Sequence, residues 1–353
     1  MRGKRRNSPE LPDASAGTPE ERRERARQDF TFFRRAYFPH YCLVGGDSRL
    51  HEWLDAELPR MADAPEGVRL AIAAPRGEAK STFVSLFFVM WAVLTGRKHY
   101  ILIIADALEQ AASLLGAVKD ELEFNEALKR DFPGAGKGHV WNVGTVVTPG
   151  NVKIQALGAG KRMRGLRHGP HRPDLIVLDD LENDGNVDKP EQRDKLQSWL
   201  QKTVLNLGAA DGSMDVVYVG TLLHYDSVLA RTLRKPLWKA RTFRSILRWP
   251  DRMDLWDEWE SLLSSRGEAE ARRFYRQHRV KMEAGAEVSW PASRPLYRLM
   301  CLRAEDREAF DSEQQNDPLS TNEAPFNGCI TFWVDRSRDW LLFGAVDPSL
   351  GKQ

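Results

Sequence analysis

The chain has 353 residues, 42 % of them hydrophobic and 29 % charged, with a net charge of +2. That is enough apolar material for a real core in one large domain or two ordinary ones. A near-zero net charge means that any nucleic-acid contact has to come from local patches rather than from the whole surface. Cys42, Cys301 and Cys329 lie far apart and form no zinc or disulfide pattern; they read as thiols of a reducing compartment.

Residues 1–20 are charged and rich in Pro, Ser and Gly, a tail expected to be disordered. They lack the apolar core of a signal peptide. Residues 28–60 place two short amphipathic helices around a Pro/Gly-containing turn. VRLAIAAP (68–75) predicts a short apolar strand, and a long helical segment follows from Lys80. Within it, the apolar run FVSLFFVMWAVL (83–94) is shorter than the about 20 residues a bilayer requires. It reads as a helix buried on most sides, and no membrane partner is expected. HYILIIAD (99–106) is an all-apolar strand suited to a sheet covered on both faces. ALEQAASLLGAVKDELEFN (107–125) has the 3.6-residue period of a helix. VKIQALG (152–158) alternates, DLIVLDD (174–180) is a strand ending in carboxylates, PEQRDKLQSWLQKTVLN (190–206) is a helix, and MDVVYVGTLLH (214–224) is again a strand.

Strands alternating with helices predict an α/β fold with a parallel sheet. Ligands of such sheets bind beyond the carboxyl ends of the strands. Three chemically distinctive segments fall there: PRGEAKS after the first strand, DDLEND after the fourth and GTLLH at the end of the fifth. The unit over 21–250 that holds these segments precedes a helical and loop-rich extension over 251–335. A last strand at 336–353 ends in Asp347.

The loop of Ala74, Pro75, Arg76, Gly77, Glu78, Ala79, Lys80, Ser81 and Thr82 follows the pattern G-x-x-x-x-G-K-[ST], with alanine at both glycine positions. Such a loop binds phosphate through backbone N–H groups at a helix N-terminus, with the lysine on the β/γ-phosphates and the hydroxyl on Mg²⁺. Alanine serves where close approach matters more than a positive φ. The alternative is an ordinary helix start with Lys80 in solvent. The buried strand ending in Asp179 and Asp180 tips the balance, because two adjacent carboxylates are costly to bury without a cation or hydrogen bonds. Asp179 is the candidate Mg²⁺ ligand together with Ser81. Asp180 is the candidate for orienting water, with Glu182 as its competitor. The alternative for the pair is a turn cap.

The stretch GAGKRMRGLRHGPHRPD carries Lys161, Arg162, Arg164, Arg167 and Arg172. One arginine, Arg164 by preference, could stabilise charge on a transferring phosphoryl, and the others could meet DNA phosphates. His168 and His171 sit among these arginines and read as part of the basic loop rather than as metal ligands. Thr221 is placed to sense a γ-phosphate, or simply to bond backbone at a strand end.

In their order along the chain, these segments resemble the large terminase subunit of tailed bacteriophages. PRGEAKST looks like that family's deviant phosphate loop, with Arg76 four residues before the lysine. RPDLIVLDDLEND resembles its Walker B segment, and KRMRGLRHG the Arg-Gly stretch ahead of it. VGTLLHYDS resembles its coupling motif, AFDSEQQNDPL the signature before its nuclease domain, and LFGAVDPSLGK the first strand of an RNase H-like nuclease, with Asp347 as a metal-binding carboxylate. The resemblance implies a P-loop NTPase of the additional-strand type that uses ATP and Mg²⁺ to drive double-stranded DNA through a portal protein. It implies a homo-oligomeric ring and a small terminase subunit as partner. It places the protein in the cytoplasm of an infected bacterium, transiently at the procapsid. By the same resemblance Lys80, Arg76 and Ser81 bind the triphosphate and metal, Asp179 holds Mg²⁺, Asp180 or Glu182 positions water, Arg164 acts in its own subunit or a neighbour's, and Thr221 couples product release to movement. Adenine contacts are expected from the region before Val68. The nuclease half is expected to be absent or incomplete in this chain. A helicase-like remodeller is a competing reading, against which stands the lack of a second loop-strand-helix series; a DNA-binding assembly protein with an inactive nucleotide site is another.

Overall fold

The computed structural model describes residues 17–42 and 45–318. Asp347 and the strand expected around it lie outside the described residues. Eight strands form one sheet: β1 Arg69–Ala73, β2 Tyr100–Ala105, β3 Val140–Trp141, β4 Thr145–Val147, β5 Lys153–Gly158, β6 Leu175–Asp179, β7 Asp215–Gly220 and β8 Lys239–Thr242. Their order is β3-β4-β5-β2-β6-β7-β1-β8. From β5 to β8 every pairing is parallel, and β3 and β4 close one edge antiparallel.

Every residue of β2, β6 and β7 is buried, as the unbroken apolar runs predict for strands covered on both faces. Side chains alternate between two cores, because a strand has a period of two. Leu70, Ile72, Ile101, Ile103, Val177 and Val217 face helices Phe30–Tyr37, Arg49–Ala62 and Leu108–Phe124 and the helical segment after Lys80. Ala71, Leu102, Ile104, Ile176, Leu178 and Tyr218 face helices Pro190–Lys202 and Val228–Leu233. One strand, β7, is inserted between β1, which leads into the 74–82 loop, and β6, which carries Asp179. That insertion defines the additional-strand P-loop NTPase fold.

Three strands of this sheet escape the sequence reading. All of β8 is exposed, and its sequence KART offers no apolar period; its backbone pairing with β1 alone makes it a strand. β3 and β4, with two and three residues, are too short for a pattern. The N-terminal tail also becomes helical earlier than expected, at Pro19–Gln28, where Thr18 and Glu21 form a reciprocal cap.

A second layer packs its own core of Trp256, Trp259, Ala271, Met282, Leu299, Met300 and Phe310. It contains helices Met253–Arg266, Glu268–Glu283, Leu296–Glu305 and Arg307–Glu313. Beside these helices, β9 Ile246–Arg248 pairs with β10 Glu287–Val288 in a separate two-stranded sheet. The last turn of this layer lies against the 74–82 loop. No helix among the described residues is long and apolar enough to cross a membrane.

Candidate nucleotide site

The loop after β1 is anchored at both ends. Ala74 donates its N–H to the Gly220 carbonyl at 2.9 Å and accepts from the Thr221 hydroxyl at 3.2 Å. It therefore extends the strand, where alanine is at no disadvantage. Ala79 differs: it sits at φ +56°, in the left-handed region, as does Gly77 at +78°. The expectation that alanine serves where close approach matters more than a positive φ does not describe Ala79, whose φ is itself positive. Ala79 holds a conformation that disfavours a Cβ by about 1–2 kcal/mol.

Lys80 is 6 % exposed, so it is not a solvated residue of a helix start. Its Nζ lies 3.0 Å from Thr221 Oγ1 and 3.3 Å from Asp180 Oδ2. Thr221 thus bonds both the lysine and the Ala74 backbone. The hydroxyl of Ser81 donates to Asp179 Oδ1 at 2.9 Å. Asp179 is fully buried, and its carboxyl is pushed up to about 6, first by burial and then by Asp180, against the opposing pull of Ser85, Lys80 and Ser81.

Consecutive strand residues ordinarily point to opposite faces, yet both carboxylates serve the same loop. Asp180 sits at φ +46°, a region that aspartate tolerates better than most residues. This turns its side chain back toward Lys80 while its backbone N–H still donates to Val219 at 3.0 Å. Gly220 leaves the room: a Cβ there would lie 3.3 Å from Asp180 Oδ1.

Glu182 is engaged elsewhere. Its carboxylate accepts from the backbone N–H groups of Val228 at 2.6 Å and Leu229 at 2.9 Å and from the Tyr218 hydroxyl at 3.1 Å. It caps helix Val228–Leu233, where the N-terminal dipole suits a carboxylate. Of the two candidates for orienting water, Asp180 is the one beside Lys80.

The second layer grips the loop residue by residue. Arg76 donates its N–H to the Glu313 carbonyl at 2.9 Å, and its guanidinium pairs with the Glu313 carboxylate. A Cβ built on Gly77 would lie 1.8 Å from the Arg294 guanidinium. The buried Glu78 accepts from Ser289 at 3.3 Å. Asn316 Oδ1 accepts from the Leu222 N–H at 2.9 Å, just beyond Thr221. From the other side, His51 Nε2 contacts the Glu78 carbonyl at 2.9 Å, and the ring stacks on Phe83 at 4.2 Å. Thr82 opens a segment, Thr82–Phe88, wound with π-helical rather than α-helical hydrogen bonding.

Arg164 is apart from this constellation. It lines a pocket of about 300 Å³ with Arg172, Lys202 and Asn206, at the C-terminal end of helix Pro190–Lys202. No hydrogen bond or ion pair joins it to the loop among the described residues. Lys161, Arg162 and Arg167 are exposed on the same stretch. His168 and His171 pair through their backbones at 2.8 and 3.0 Å, the His171 ring stacks on His99, and the His168 ring reaches the Asn151 carbonyl.

Sequence reasoning missed Ser85, Arg294, Glu313 and Asn316 as neighbours of the loop. Ser85 had a signal in the serine pair four residues apart; Glu313 and Asn316 lie in AFDSEQQNDPL, which was singled out without being linked to the loop, and Arg294, more than 200 residues along the chain, had no signal.

No family model matches the chain, and no curated protein matches it. Among solved structures it is similar to the ATPase domain of the Thermus phage P74-26 large terminase, at 15 % identity over 74 % of this chain and 92 % of that one, with a TM-score of 0.37. A point mutant of the same domain gives 13 % identity, 72 % and 90 % coverage and a TM-score of 0.33.

Proposed function

We propose that this chain is an ATP-hydrolysing motor of the phage large-terminase type, which moves double-stranded DNA through a portal protein into a procapsid. One observation carries the reading: Lys80, Ser81, Asp179, Asp180 and Thr221, drawn from three separate segments, interlock at the carboxyl ends of β1, β6 and β7. Their oxygen donors fit Mg²⁺, a hard cation that takes carboxylate and hydroxyl oxygens together with phosphate. Ser81 and Asp179 would hold it, and it would supply charge to the phosphate oxygens of the nucleotide.

The chain's own residues supply the rest. Lys80 exchanges Thr221 and Asp180 for phosphate oxygen. Asp180, released from Lys80, accepts a hydrogen bond from the attacking water and orients it. Arg76 leaves Glu313 to meet the phosphates. Positioning and charge account for most of the catalysis in phosphoryl transfer. Arg164 has no hydrogen bond or ion pair to the loop among the described residues and would act on its own copy's nucleotide or on a neighbour's in a ring. Thr221 gains or loses Lys80 as the nucleotide changes, and Leu222 passes that change to Asn316. A small terminase subunit would select the DNA, and the motor would work in the host cytoplasm, docked transiently at the portal. Asp347 would begin a nuclease domain.

The test is ATP hydrolysis with and without double-stranded DNA. Lys80→Ala is expected to lower turnover by about 10²–10³-fold, the usual loss of one preorganised charge partner, with circular dichroism unchanged. Undiminished turnover in that variant would remove the site assignment.

A further inference from the structure

We infer that Ser85 is a positioning residue for Asp179, and through it for the divalent cation that accompanies the nucleotide; this rests on the nucleotide-site reading above. The Ser85 hydroxyl donates to Asp179 Oδ2 at 2.5 Å, while Ser81 donates to Oδ1 at 2.9 Å. Among the described residues these two hydroxyls are the hydrogen-bond donors to that carboxylate, which has no access to solvent. Ser85 is itself 1 % exposed.

A serine inside a helix ordinarily returns its proton to the carbonyl four residues back. Ser85 sends it across to β6 instead. The local winding explains how. Thr82–Phe88 closes i→i+5 hydrogen bonds, a wider turn that is rare and is frequently found at functional sites. In a wider turn, residues four apart lie more nearly one above the other than in an α-helix. Ser81 and Ser85 therefore present their hydroxyls along one line to the two oxygens of a single carboxylate.

The two serines differ in depth. Ser81 is at the rim, partly exposed, and a cation shared with Asp179 would draw its hydroxyl away from Oδ1. Ser85 lies one turn deeper, and its bond to Oδ2 remains. It then becomes the group that holds the plane of the Asp179 carboxylate. Partners of this kind set ligand orientation, and their loss weakens metal affinity by about 10–100-fold.

The test is calorimetric binding of a non-hydrolysable ATP analogue, once with Mg²⁺ and once in EDTA. Ser85→Ala is expected to weaken binding about 10–100-fold with Mg²⁺ and to leave binding in EDTA unchanged. Equal weakening in both conditions would mean a merely structural serine and would overturn the inference; so would unchanged binding in both. If Ser85→Ala does not fold, Ser85→Cys keeps the volume with a weak donor and must show the same Mg²⁺-specific loss, while wild-type affinity in that variant overturns the proposal. Lys80→Ala separates the two layers of argument, because it should lose the analogue in both conditions. Wild-type protein that binds no analogue at all would remove the nucleotide site and this inference together.

Discussion

The rim of the sheet and the basic stretch at 161–172 are both dense in charge, and they treat it in opposite ways. At the rim, Lys80 and Asp179 are buried, and each takes polar partners within the chain: Lys80 from Asp180 and Thr221, Asp179 from Ser81 and Ser85. Along the basic stretch, Lys161, Arg162, Arg164, Arg167 and Arg172 are exposed, and no ion pair holds them among the described residues. A buried charge must find its partner within the fold, because desolvation is costly. An exposed cation can wait for a partner from outside. The rim is thus nearly complete in one copy, while the basic stretch is left open to a partner from outside, for which we propose DNA or a neighbouring copy.

The sharpest way to break the first half of that comparison is to disturb the scaffold behind the rim. Arg34 is buried, pairs with Asp47 at 2.7 Å and Asp55 at 2.6 Å, and lies 4.8 Å from the Phe83 ring centroid. Arg34→Ala takes the arginine partner from Asp55 and leaves Asp47 with Arg35, and it is expected to lower stability by about 3–5 kcal/mol, read from chemical denaturation. The same network predicts a pH dependence. Burial alone would raise the Asp47 carboxyl, but hydrogen bonds from Arg34 and Arg35 outweigh it and hold it below its ordinary value. A carboxylate with a depressed folded-state pKa contributes stability that is fully present above its unfolded value of about 4 and is lost as pH falls further. Wild-type stability should therefore fall below about pH 4, and Arg34→Ala should show a shallower acid slope. An equal slope in the two proteins would mean that Asp47 is not held by this pair.

The second half is tested by salt. If the basic stretch meets DNA phosphates, Arg172→Ala and Lys202→Ala should each reduce the slope of log affinity against log salt by about 1, uniformly across DNA sequences. Hydrolysis in the absence of DNA should stay at the wild-type rate. An unchanged salt slope would leave the pocket around Arg164 as a surface for another copy rather than for DNA.

The smallest effect is expected at Ala79. Ala79→Gly removes a Cβ from a left-handed backbone and should stabilise the protein by about 1 kcal/mol, partly offset by the greater freedom of glycine in the unfolded chain. A thermal midpoint that falls would mean that the methyl group packs usefully enough to outweigh its backbone strain.

Much of the fold was legible in the sequence because buried parallel strands write long apolar runs. The runs 99–106, 174–180 and 214–224 all became strands, and the polar residues at their ends marked where chemistry could collect. Lys80, Ser81, Asp179, Asp180 and Thr221 follow from that rule. The exposed edge strand β8 was not legible, because only backbone pairing makes it a strand. Glu182 and Asp180 were indistinguishable as candidates, since spacing carries no record of which carboxylate caps a helix.

The sequence by itself determined the alternation of strand and helix, the two apolar cores and the presence of a lysine and two carboxylates at one edge of the sheet, because these depend on local periodicity and burial. Tertiary structure alone decided which groups meet. The left-handed turn at Asp180 puts it beside Lys80, helix Val228–Leu233 claims Glu182, and the C-terminal layer sets Glu313 on Arg76 and Arg294 on Gly77. Those contacts join residues far apart in the chain, and no local pattern encodes them: they arise only when two layers pack and each buried polar group takes the partner within reach.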